Sequence, residues 1–417
     1  MTVTLYVTPT IPRPDGIGVQ RRAWAHLQTL RALGEVQLWV LLTPPQHKAQ
    51  GGERALDAAR ALAGTANLAL LTPLRELVVA GGARQRLRQR IAQFGMPRHR
   101  LAAAHQEQEL ADKLAAGAFD MVFFFRTSTL STLQHLLSRA RRSPPWVTDF
   151  DDVESVAQAR ELRHTWRALG IEASLFKVLD IVDQWKLERF AQRHANMVSV
   201  CSDHDAERLR RRGGPAQVLV IPNTIPDRLP LPPAPTQTGV RLLFIGALNY
   251  EPNEDAALHL VRDILPLIRH RCGNGVRLLI VGRSPTPAVR ALQSHVGVEV
   301  HGDVADVESF YQASDIVVAP IRFGGGTRIK IIEAMAMGRP VVSTRLGAEG
   351  LGLRDGHDVL LADDANGFAQ ACCRLASKAD LRAKLAAHGF ATYQAGFSET
   401  LVRTRVVDRL QALLPST

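Results

Sequence analysis

Apolar strands alternate with helical segments along nearly the whole chain, and one proline-rich segment divides this alternation in two. Apolar runs bounded by helices predict parallel sheets covered on both faces. The prolines of residues 222–239 can neither donate to a β-ladder nor continue a helix, so they predict a semi-rigid connection. We therefore predict an α/β protein with two Rossmann-like doubly wound domains facing a cleft, with functional residues in the loops that follow the strands.

The 417 residues suit two domains of about 200 residues each. We expect an N-terminal domain over residues 1–225, a linker over 226–239 and a second domain over 240–395. A C-terminal helix over 396–417 is expected to pack back toward the first domain. Residues 44–115 are polar and mostly helical in pattern, and their order stays open. Six strands are predicted in the second domain: Val240–Ile245, Val276–Val281, Val298–His301, Ile316–Pro320, Val341–Ser343 and Val359–Leu361.

Composition excludes several classes of protein. Hydrophobic residues make up 46% and charged residues 22% of the chain, which predicts a folded protein and excludes wholesale disorder. Four scattered cysteines without a CxxC pair indicate neither a disulfide scaffold nor zinc, and Cys372 and Cys373 are expected to be buried thiols. Residues 1–8 read as a strand rather than a signal peptide, and no apolar run reaches eighteen residues. We expect a cytoplasmic protein.

The net charge of +11 is concentrated in the N-terminal half. Residues 1–230 hold 31 basic and 22 acidic residues, a balance of +9, which leaves +2 for the rest. The densest segment, 77–106, has no acidic residue. Its arginines are Arg84, Arg86, Arg88, Arg90, Arg98 and Arg100. They predict either contact with an anionic membrane, nucleic acid or acidic substrate, or a solvated helix face.

A glycine triplet, Gly324, Gly325 and Gly326, follows the predicted strand Ile316–Pro320 and leads through Thr327 into a helix. Glycines allow close backbone approach, and a helix start offers N–H groups and a positive dipole end. The pattern predicts an anion site, although it lacks the spacing of a Walker loop.

Lys330 and Glu333 share one face of the following helix, and Arg328 lies at its start. A lysine there would meet phosphate, and a carboxylate one turn further can accept hydrogen bonds from a ribose diol. The alternative is an exposed Lys–Glu pair that stabilises the helix slightly.

This stretch, continued by EAMAMGRPVVST and GAEGL, resembles the donor site of retaining nucleotide-sugar glycosyltransferases of the GT-B fold, family 4 (group 1), in a variant with GGGTR. The likeness extends to residues 220–224 and 244–256. It implies that Glu333 holds the donor ribose and that the loop Gly324–Thr327 lies against the donor. It also implies that the glycine loop with Gly16 and Gly18 lies against the diphosphate and acceptor. The alternative for these two residues is a pair of turn glycines, and an NAD site is disfavoured because the third glycine of that motif is missing.

The sequence also departs from the family pattern. Gly325 stands where relatives often carry a second glutamate, and Ala247 and Asn253 stand near the places of a familiar Arg and Lys. Arg328 and Lys330 are therefore the candidates for neutralising the diphosphate. We assign both to the catalytic group.

Three acidic residues follow a predicted strand, at Asp149, Asp151 and Asp152. We assign Asp151 to the catalytic group, where it would orient the acceptor, and topology directs Arg126 to the same cleft. The alternative is that these acidic residues cap the next helix. A metal at Asp149 and Asp151 is conceivable, but the resemblance implies an enzyme that needs none.

The resemblance implies transfer of a sugar from a nucleoside diphosphate sugar to a hydroxyl acceptor, glycan or lipid-linked, with retention of configuration. Such an enzyme of polysaccharide assembly would need no cofactor, and it could bind the inner face of an anionic membrane. Two alternatives stay open. One is a nucleotide-sugar epimerase on the same fold, and the other is a non-catalytic basic protein that binds membranes or nucleic acid. Nucleic acid is disfavoured because segment 77–106 has one aromatic residue, Phe94.

Overall fold

A computed structural model describes residues 2–73, 83–95, 97–137, 144–167, 169–234, 239–304 and 306–414. The chain separates into two compact units. Unit 1 runs to Ile221 and includes the chain from Arg403 onward, and unit 2 is Pro222–Val402. The first unit thus ends before residue 225, where we had placed the domain boundary.

The described part of the predicted linker lies against unit 2. The N–H of Leu231 donates to the carbonyl of Met337 at 3.2 Å, and Arg339 Nη2 donates to the carbonyl of Pro232 at 2.6 Å. The prolines therefore give an extended segment that packs on the second unit. Residues 235–238 of the linker lie outside the described residues.

Unit 1 is built on one sheet, whose strand order is β4-β3-β2-β1-β5-β6-β7-β8 in the described residues. Its elements are β1 (Thr2–Thr8), α1 (Gly18–Leu33), β2 (Gly34–Leu42), α2 (Pro44–Ala49), α3 (Gly52–Ala63), β3 (Gly64–Pro73), α4 (Ala83–Ala92), β4 (His99–Leu101), α5 (Ala104–Ala115), β5 (Met121–Phe125), α6 (Thr127–Leu137), β6 (Trp146–Asp149), α7 (Glu154–Thr165), α8 (Ile171–His194), β7 (Met197–Val200), α9 (Asp203–Arg212) and β8 (Gln217–Val220). The pairs are parallel, except that β4 runs antiparallel to β3.

Unit 2 contains a second parallel sheet, in the order β11-β10-β9-β12-β13-β14. Its elements are β9 (Val240–Ile245), α10 (Glu251–His259), a π-helical turn (Leu260–Ile264), α11 (Leu265–Cys272), β10 (Val276–Gly282), α12 (Pro287–Ala291), a 3₁₀ turn (Leu292–Ser294), β11 (Val298–Gly302), α13 (Glu308–Ala313), β12 (Ile316–Ala319), α14 (Ile329–Ala336), β13 (Val341–Ser343), β14 (Leu360–Leu361), α15 (Ala365–Ser377) and α16 (Ala379–Gly396). The last helix, α17 (Glu399–Gln411), begins in unit 2 and belongs to unit 1 from Arg403 onward. All six predicted strands are present, and the predicted pair of doubly wound α/β domains is confirmed.

Each sheet reverses its winding direction beside its first strand. In unit 2, β9 lies between β10 and β12, and in unit 1, β1 lies between β2 and β5. Buried Leu, Phe and Ile side chains of β9 anchor the centre of the core of unit 2. Ligands of doubly wound sheets bind at the carboxyl ends of the strands beside such a reversal. The loops after β9 and β12 are therefore the first place to look for a site.

Cys272 and Cys373 form a disulfide, with their Cα atoms 6.0 Å apart. The expectation that Cys373 is a buried thiol is therefore wrong, whereas Cys372 is a buried free cysteine as predicted. The pairing arises because α11 packs beside α15. The two cysteines are 101 residues apart in sequence, so their spacing gave no indication of it.

Candidate functional site

The glycine triplet forms the loop between β12 and α14, at the reversal point of unit 2. Gly324 has a φ of +106°, and a Cβ there would lie 3.2 Å from Pro252 Cγ. The loop is held from one side by Arg328, whose Nη1 donates to the carbonyls of Gly325 and Gly326. Arg328 is thus a cation at the helix start, as predicted from its position, and it also braces the loop.

Lys330 extends from the first turn of α14 into a buried place and is only 8% exposed. Its Nζ donates to Asn253 Oδ1 at 2.7 Å and lies 4.3 Å from the centre of the Phe244 ring. Asn253 Nδ2 donates to the carbonyl of Ala247 at 2.9 Å, which turns Oδ1 toward the lysine. Burial, together with the charge of Arg328, lowers the pKa of Lys330 to about 7.

The backbone below this amine leaves no room for a side chain. A Cβ on Gly246 would lie 2.8 Å from Asn253 Nδ2 and 3.0 Å from Lys330 Nζ. Gly246 follows β9 directly, so the carboxyl end of this strand, α10 and α14 converge on the lysine. From the sequence, we had noted Asn253 only because it stands where the resemblance implies a basic residue. In the structure, Asn253 is the hydrogen-bond partner of Lys330.

Glu333 lies one turn beyond Lys330 and is also 8% exposed. Its Oε2 accepts a hydrogen bond from the hydroxyl of Tyr311, at 2.9 Å. The alternative of an exposed Lys–Glu pair is therefore wrong, because both side chains are buried and each has a partner from another helix. Tyr311 was not predicted, since it lies 22 residues before Glu333 without a recognisable motif.

Thr327, the last loop residue before Arg328, is tied to the start of unit 2. Asn223 Nδ2 donates to Thr327 Oγ1 at 2.9 Å. Asn223 belongs to the VIPNT stretch at 220–224, which we had singled out only for its resemblance. The contact gives that stretch a structural reason, because it fixes the end of the glycine loop.

In unit 1, Asp149 is fully buried at the end of β6 and its carboxylate is surrounded by donors. Arg22 donates to both oxygens at 2.8 Å, Ser199 Oγ donates at 2.7 Å, and His26 Nε2 lies 3.0 Å away. Burial alone would raise the pKa of Asp149, but Arg22 and His26 outweigh burial and hold it well below its usual range. Asp149 therefore joins α1 to the sheet, and its oxygens are not available to a metal.

Asp151 and Arg126 form an ion pair at the ends of neighbouring strands, with Nη2 and Oδ2 2.9 Å apart. Both residues have a φ of +66°, a conformation that costs energy for a side chain as large as arginine. Burial and the charge of Asp151 raise the pKa of the neighbouring Asp152 well above its usual range. Arg126 also lines a polar pocket of about 370 Å³, together with Ser128, Thr132 and Gln184.

Gly16 and Gly18 precede and begin α1. A Cβ on Gly16 would lie 2.5 Å from Gln20 Cβ, and Gln20 Oε1 accepts from the N–H of Ile17 at 3.1 Å. The close packing of Gln20 accounts for a glycine at position 16 without a ligand. Asp151, Arg126, Gly16 and Gly18 belong to unit 1, whereas the residues predicted to bind the donor on the glycine loop and α14 belong to unit 2.

The basic segment differs from the free cationic face that we had considered. Arg86 pairs with Glu172 at 2.5 Å, Arg90 pairs with Asp180 and Asp183, and Arg98 lies 3.6 Å from Asp180. Their acidic partners all come from α8, far along the chain. The segment 77–106 therefore looked purely basic in the sequence, although carboxylates neutralise part of it in the structure. Residues 77–82 and 96, and the side chain of Arg84, lie outside the described residues.

Between residues 2 and 414, apart from the gaps given above, no group of three or more His, Cys, Asp or Glu side chains could hold a metal ion. None of the helices in these described ranges combines the length and the apolar character that a membrane span requires.

The fold, with two Rossmann-like α/β units, is that of GT-B glycosyltransferases. Sucrose-phosphate synthase from Thermosynechococcus elongatus is similar over 99% of both chains, with a TM-score of 0.67 and 16% identity. Anabaena HepE, in complex with UDP and glucose, is similar over 99% of this chain and 100% of its own, with a TM-score of 0.64 and 13% identity. At such identities the likeness shows the fold alone.

Sequence comparison points to the same class for unit 2. Residues 239–378 match the family model of Glycosyl transferases group 1. The chain is 32% identical over 157 residues to phosphatidyl-myo-inositol mannosyltransferase of Mycobacterium leprae (strain TN), which is 36% of this chain and 41% of that protein. It is 39% identical over 88 residues to the lipopolysaccharide core biosynthesis glycosyltransferase LpsE of Rhizobium meliloti (strain 1021), 21% of this chain and 25% of that protein. The chain thus spans less than half of the length of these relatives.

Proposed function

We propose that this protein transfers a sugar from a nucleoside diphosphate sugar to a hydroxyl acceptor in glycan or polysaccharide assembly, with retention of anomeric configuration. The observation that carries the proposal is the pair Lys330 and Glu333, both buried on α14 directly after the glycine loop. These residues lie within the segment that matches the glycosyltransferase family model. The names of the two bacterial relatives, a mannosyltransferase and a lipopolysaccharide glycosyltransferase, support the same class of reaction.

In this proposal Lys330 and Arg328 neutralise the diphosphate. The glycine loop lets the backbone approach the donor. N–H groups at the start of α14 add donors, because the Arg328 side chain at the N-cap does not accept from them, although the Arg328 carbonyl already accepts from the N–H of Ile331. Asn253 holds the Lys330 amine where relatives carry a cation of their own. Glu333, oriented by Tyr311, accepts hydrogen bonds from the ribose hydroxyls of the donor.

The bond from the anomeric carbon to the diphosphate oxygen breaks, and its electron pair stays with the diphosphate. The acceptor oxygen bonds to the same face of that carbon, and its proton passes to the departing diphosphate. The protein stabilises the charge that develops on the diphosphate and aligns the acceptor. We assign acceptor alignment to Asp151, which Arg126 holds at the carboxyl edge of the sheet in unit 1. Gly16 and Gly18 stay predicted contacts, no cofactor or metal is proposed, and a cytoplasmic location stays a prediction.

The test is a panel of nucleoside diphosphate sugars, each with and without glycan and lipid-linked acceptors, scored by release of nucleoside diphosphate. We expect release that depends on an acceptor, and a product whose anomeric configuration by NMR matches the donor. Conversion of the donor into an isomer without release would favour the epimerase. Inverted product would refute retention, and no turnover with any pair, together with no donor binding, would refute the enzyme.

A further inference from the structure

Helix α8 carries an apolar stripe that the proposed chemistry does not use. Its exposed members recur at steps of four and three residues, the spacing of one helix face. They are Ile171, Leu175, Val178, Val182 and Trp185, each between 36% and 93% exposed. The stripe is about 21 Å long at 1.5 Å per residue. Trp166, 57% exposed at the end of α7, extends the apolar surface.

A groove runs beside this stripe, between α7, α8 and α9. It has a volume of about 450 Å³, and Val156, Ile181, Val182 and Trp185 contribute apolar walls. Arg160, Arg163, Arg208 and Arg212 also line it. An apolar groove bordered by guanidinium groups suits a ligand that has apolar chains and an anionic head.

The charges around α8 are arranged asymmetrically. Its acidic residues Glu172, Asp180 and Asp183 pair with arginines of the α4 region, about 130° around the helix from the centre of the stripe at 100° per residue. On the stripe side, Arg163 and Arg167 are exposed, and in the described part of the chain neither pairs with a carboxylate. The Arg167 guanidinium lies 5.7 Å from the centre of the Trp166 ring. Glu161, also on α7, is already paired with Lys177, so Arg163 and Arg167 remain as exposed cations at this end of the stripe.

We propose that the α7–α8 face, defined as the stripe with Trp166, Arg163 and Arg167, docks the protein reversibly on an anionic lipid bilayer. Aliphatic side chains enter the boundary between headgroups and acyl chains, tryptophan rings lie at headgroup level, and arginines reach lipid phosphates. A second copy of the chain fits this face less well, because a two-fold contact sets the patch against itself and brings its arginines toward like charges. The proposal does not depend on the chemistry assigned to unit 2.

The test is cosedimentation of the full chain with phosphatidylcholine vesicles, with and without phosphatidylglycerol, at low and high salt. We expect binding to the anionic vesicles only, and its loss at high salt. Arg163→Glu/Arg167→Glu should lower the partition coefficient at least about 30-fold, since each basic residue near an anionic surface contributes about fivefold. Leu175→Gln/Val178→Gln should lower it at least about tenfold through lost apolar burial.

Matched controls separate this face from net charge and general hydrophobicity. Arg88→Glu/Arg100→Glu changes the charge equally on the basic segment, and Leu229→Gln/Val296→Gln removes two exposed apolar side chains elsewhere. Neither should change the partition coefficient. Equal loss in the controls, equal binding to neutral vesicles, or no binding would overturn the proposal. A wild-type dimer that Leu175→Gln/Val178→Gln dissociates, without vesicle binding, would assign the face to a second copy.

Discussion

Donor binding should draw a proton into the site, because the Lys330 amine is buried against Asn253 and Phe244, and neither of these contacts is a carboxylate. Burial and the charge of Arg328 lower the pKa of Lys330 to about 7. A diphosphate beside the amine favours the charged form and raises that pKa. Above pH 7 the free protein therefore holds a neutral amine that takes up a proton when the donor binds. We expect the dissociation constant of a nucleoside diphosphate sugar to rise with pH.

The size of the effect follows from linkage. If the diphosphate restores the pKa of Lys330 to the ordinary lysine value of about 10.4, the affinity for the donor falls about 50-fold between pH 7 and pH 9. Near pH 9 the binding free energy then weakens by close to 1.4 kcal/mol per pH unit. Proton uptake approaches one per donor near pH 8.5 under the same assumption. Arg328 attracts the diphosphate but adds no pH dependence to donor binding, since a guanidinium keeps its charge throughout this range.

Isothermal titration calorimetry in buffers of different ionisation enthalpy measures the uptake directly. A nucleoside diphosphate sugar has no phosphate group that titrates here, and the free nucleoside controls for titration of the base, so the remaining pH dependence belongs to the protein. Lys330→Met should bind more weakly and show neither slope nor uptake, and the free nucleoside should show neither with wild type. Uptake near zero in wild type, or equal uptake in Lys330→Met, would refute the place that we give to the amine.

Four further outcomes are expected. Glu333→Ala should weaken donor binding by about 1–3 kcal/mol, and Tyr311→Phe should weaken it by about 1 kcal/mol, with the fold of both variants intact by circular dichroism. If Glu333→Ala bound the donor as tightly as wild type, Glu333 would not hold the donor ribose. Removing both charges in Arg328→Met/Lys330→Met should weaken nucleoside diphosphate far more than nucleoside, and an equal loss in calorimetry would count against phosphate contact. Asp149→Asn should destabilise unit 1 by about 3–5 kcal/mol in urea unfolding, whereas the exposed control Asp203→Asn should change little. Without ligand, the free energy of unfolding should rise between pH 7 and about pH 10. In this range Lys330 keeps its proton in the unfolded chain but loses it in the folded protein, where its pKa is about 7. The rise should be smaller in Lys330→Met.

The fold was predictable because its signals are local. Apolar strands such as Val240–Ile245 and Val276–Val281 are bounded by glycines and helices, and each could be read without knowledge of its neighbours in the sheet. The same holds for the glycine triplet and for the shared helix face of Lys330 and Glu333. By contrast, the ten-residue strand β3 was missed, since its sequence GTANLALLTP mixes small, polar and apolar residues without regular alternation.

What the sequence did not show are the contacts between distant segments. Asn253 and Lys330 are 77 residues apart, and Arg22 and Asp149 are 127 apart. The basic run from Arg86 to Arg98 had no acidic neighbour in sequence, yet α8 supplies carboxylates to it in space. A local sequence pattern indicates which face of a helix or strand is polar. The net charge of that surface in the folded protein also depends on the charged side chains of the neighbouring helix or strand.

The lowered pKa of Lys330 also bears on the stability of unit 2 when no anion is bound. A charged amine sealed by Phe244 and an amide would carry a large desolvation cost, and the cationic Arg328 adds to it. Release of the proton removes that cost while Asn253 keeps the nitrogen in place. In the proposed mechanism, the diphosphate restores the proton, so that the lysine carries its full positive charge only when an anion is there to pair with it. The resemblance implies cations near positions 247 and 253, where this chain has Ala247 and Asn253. In the proposed site, Lys330 would supply the missing charge without destabilising unit 2 between reactions.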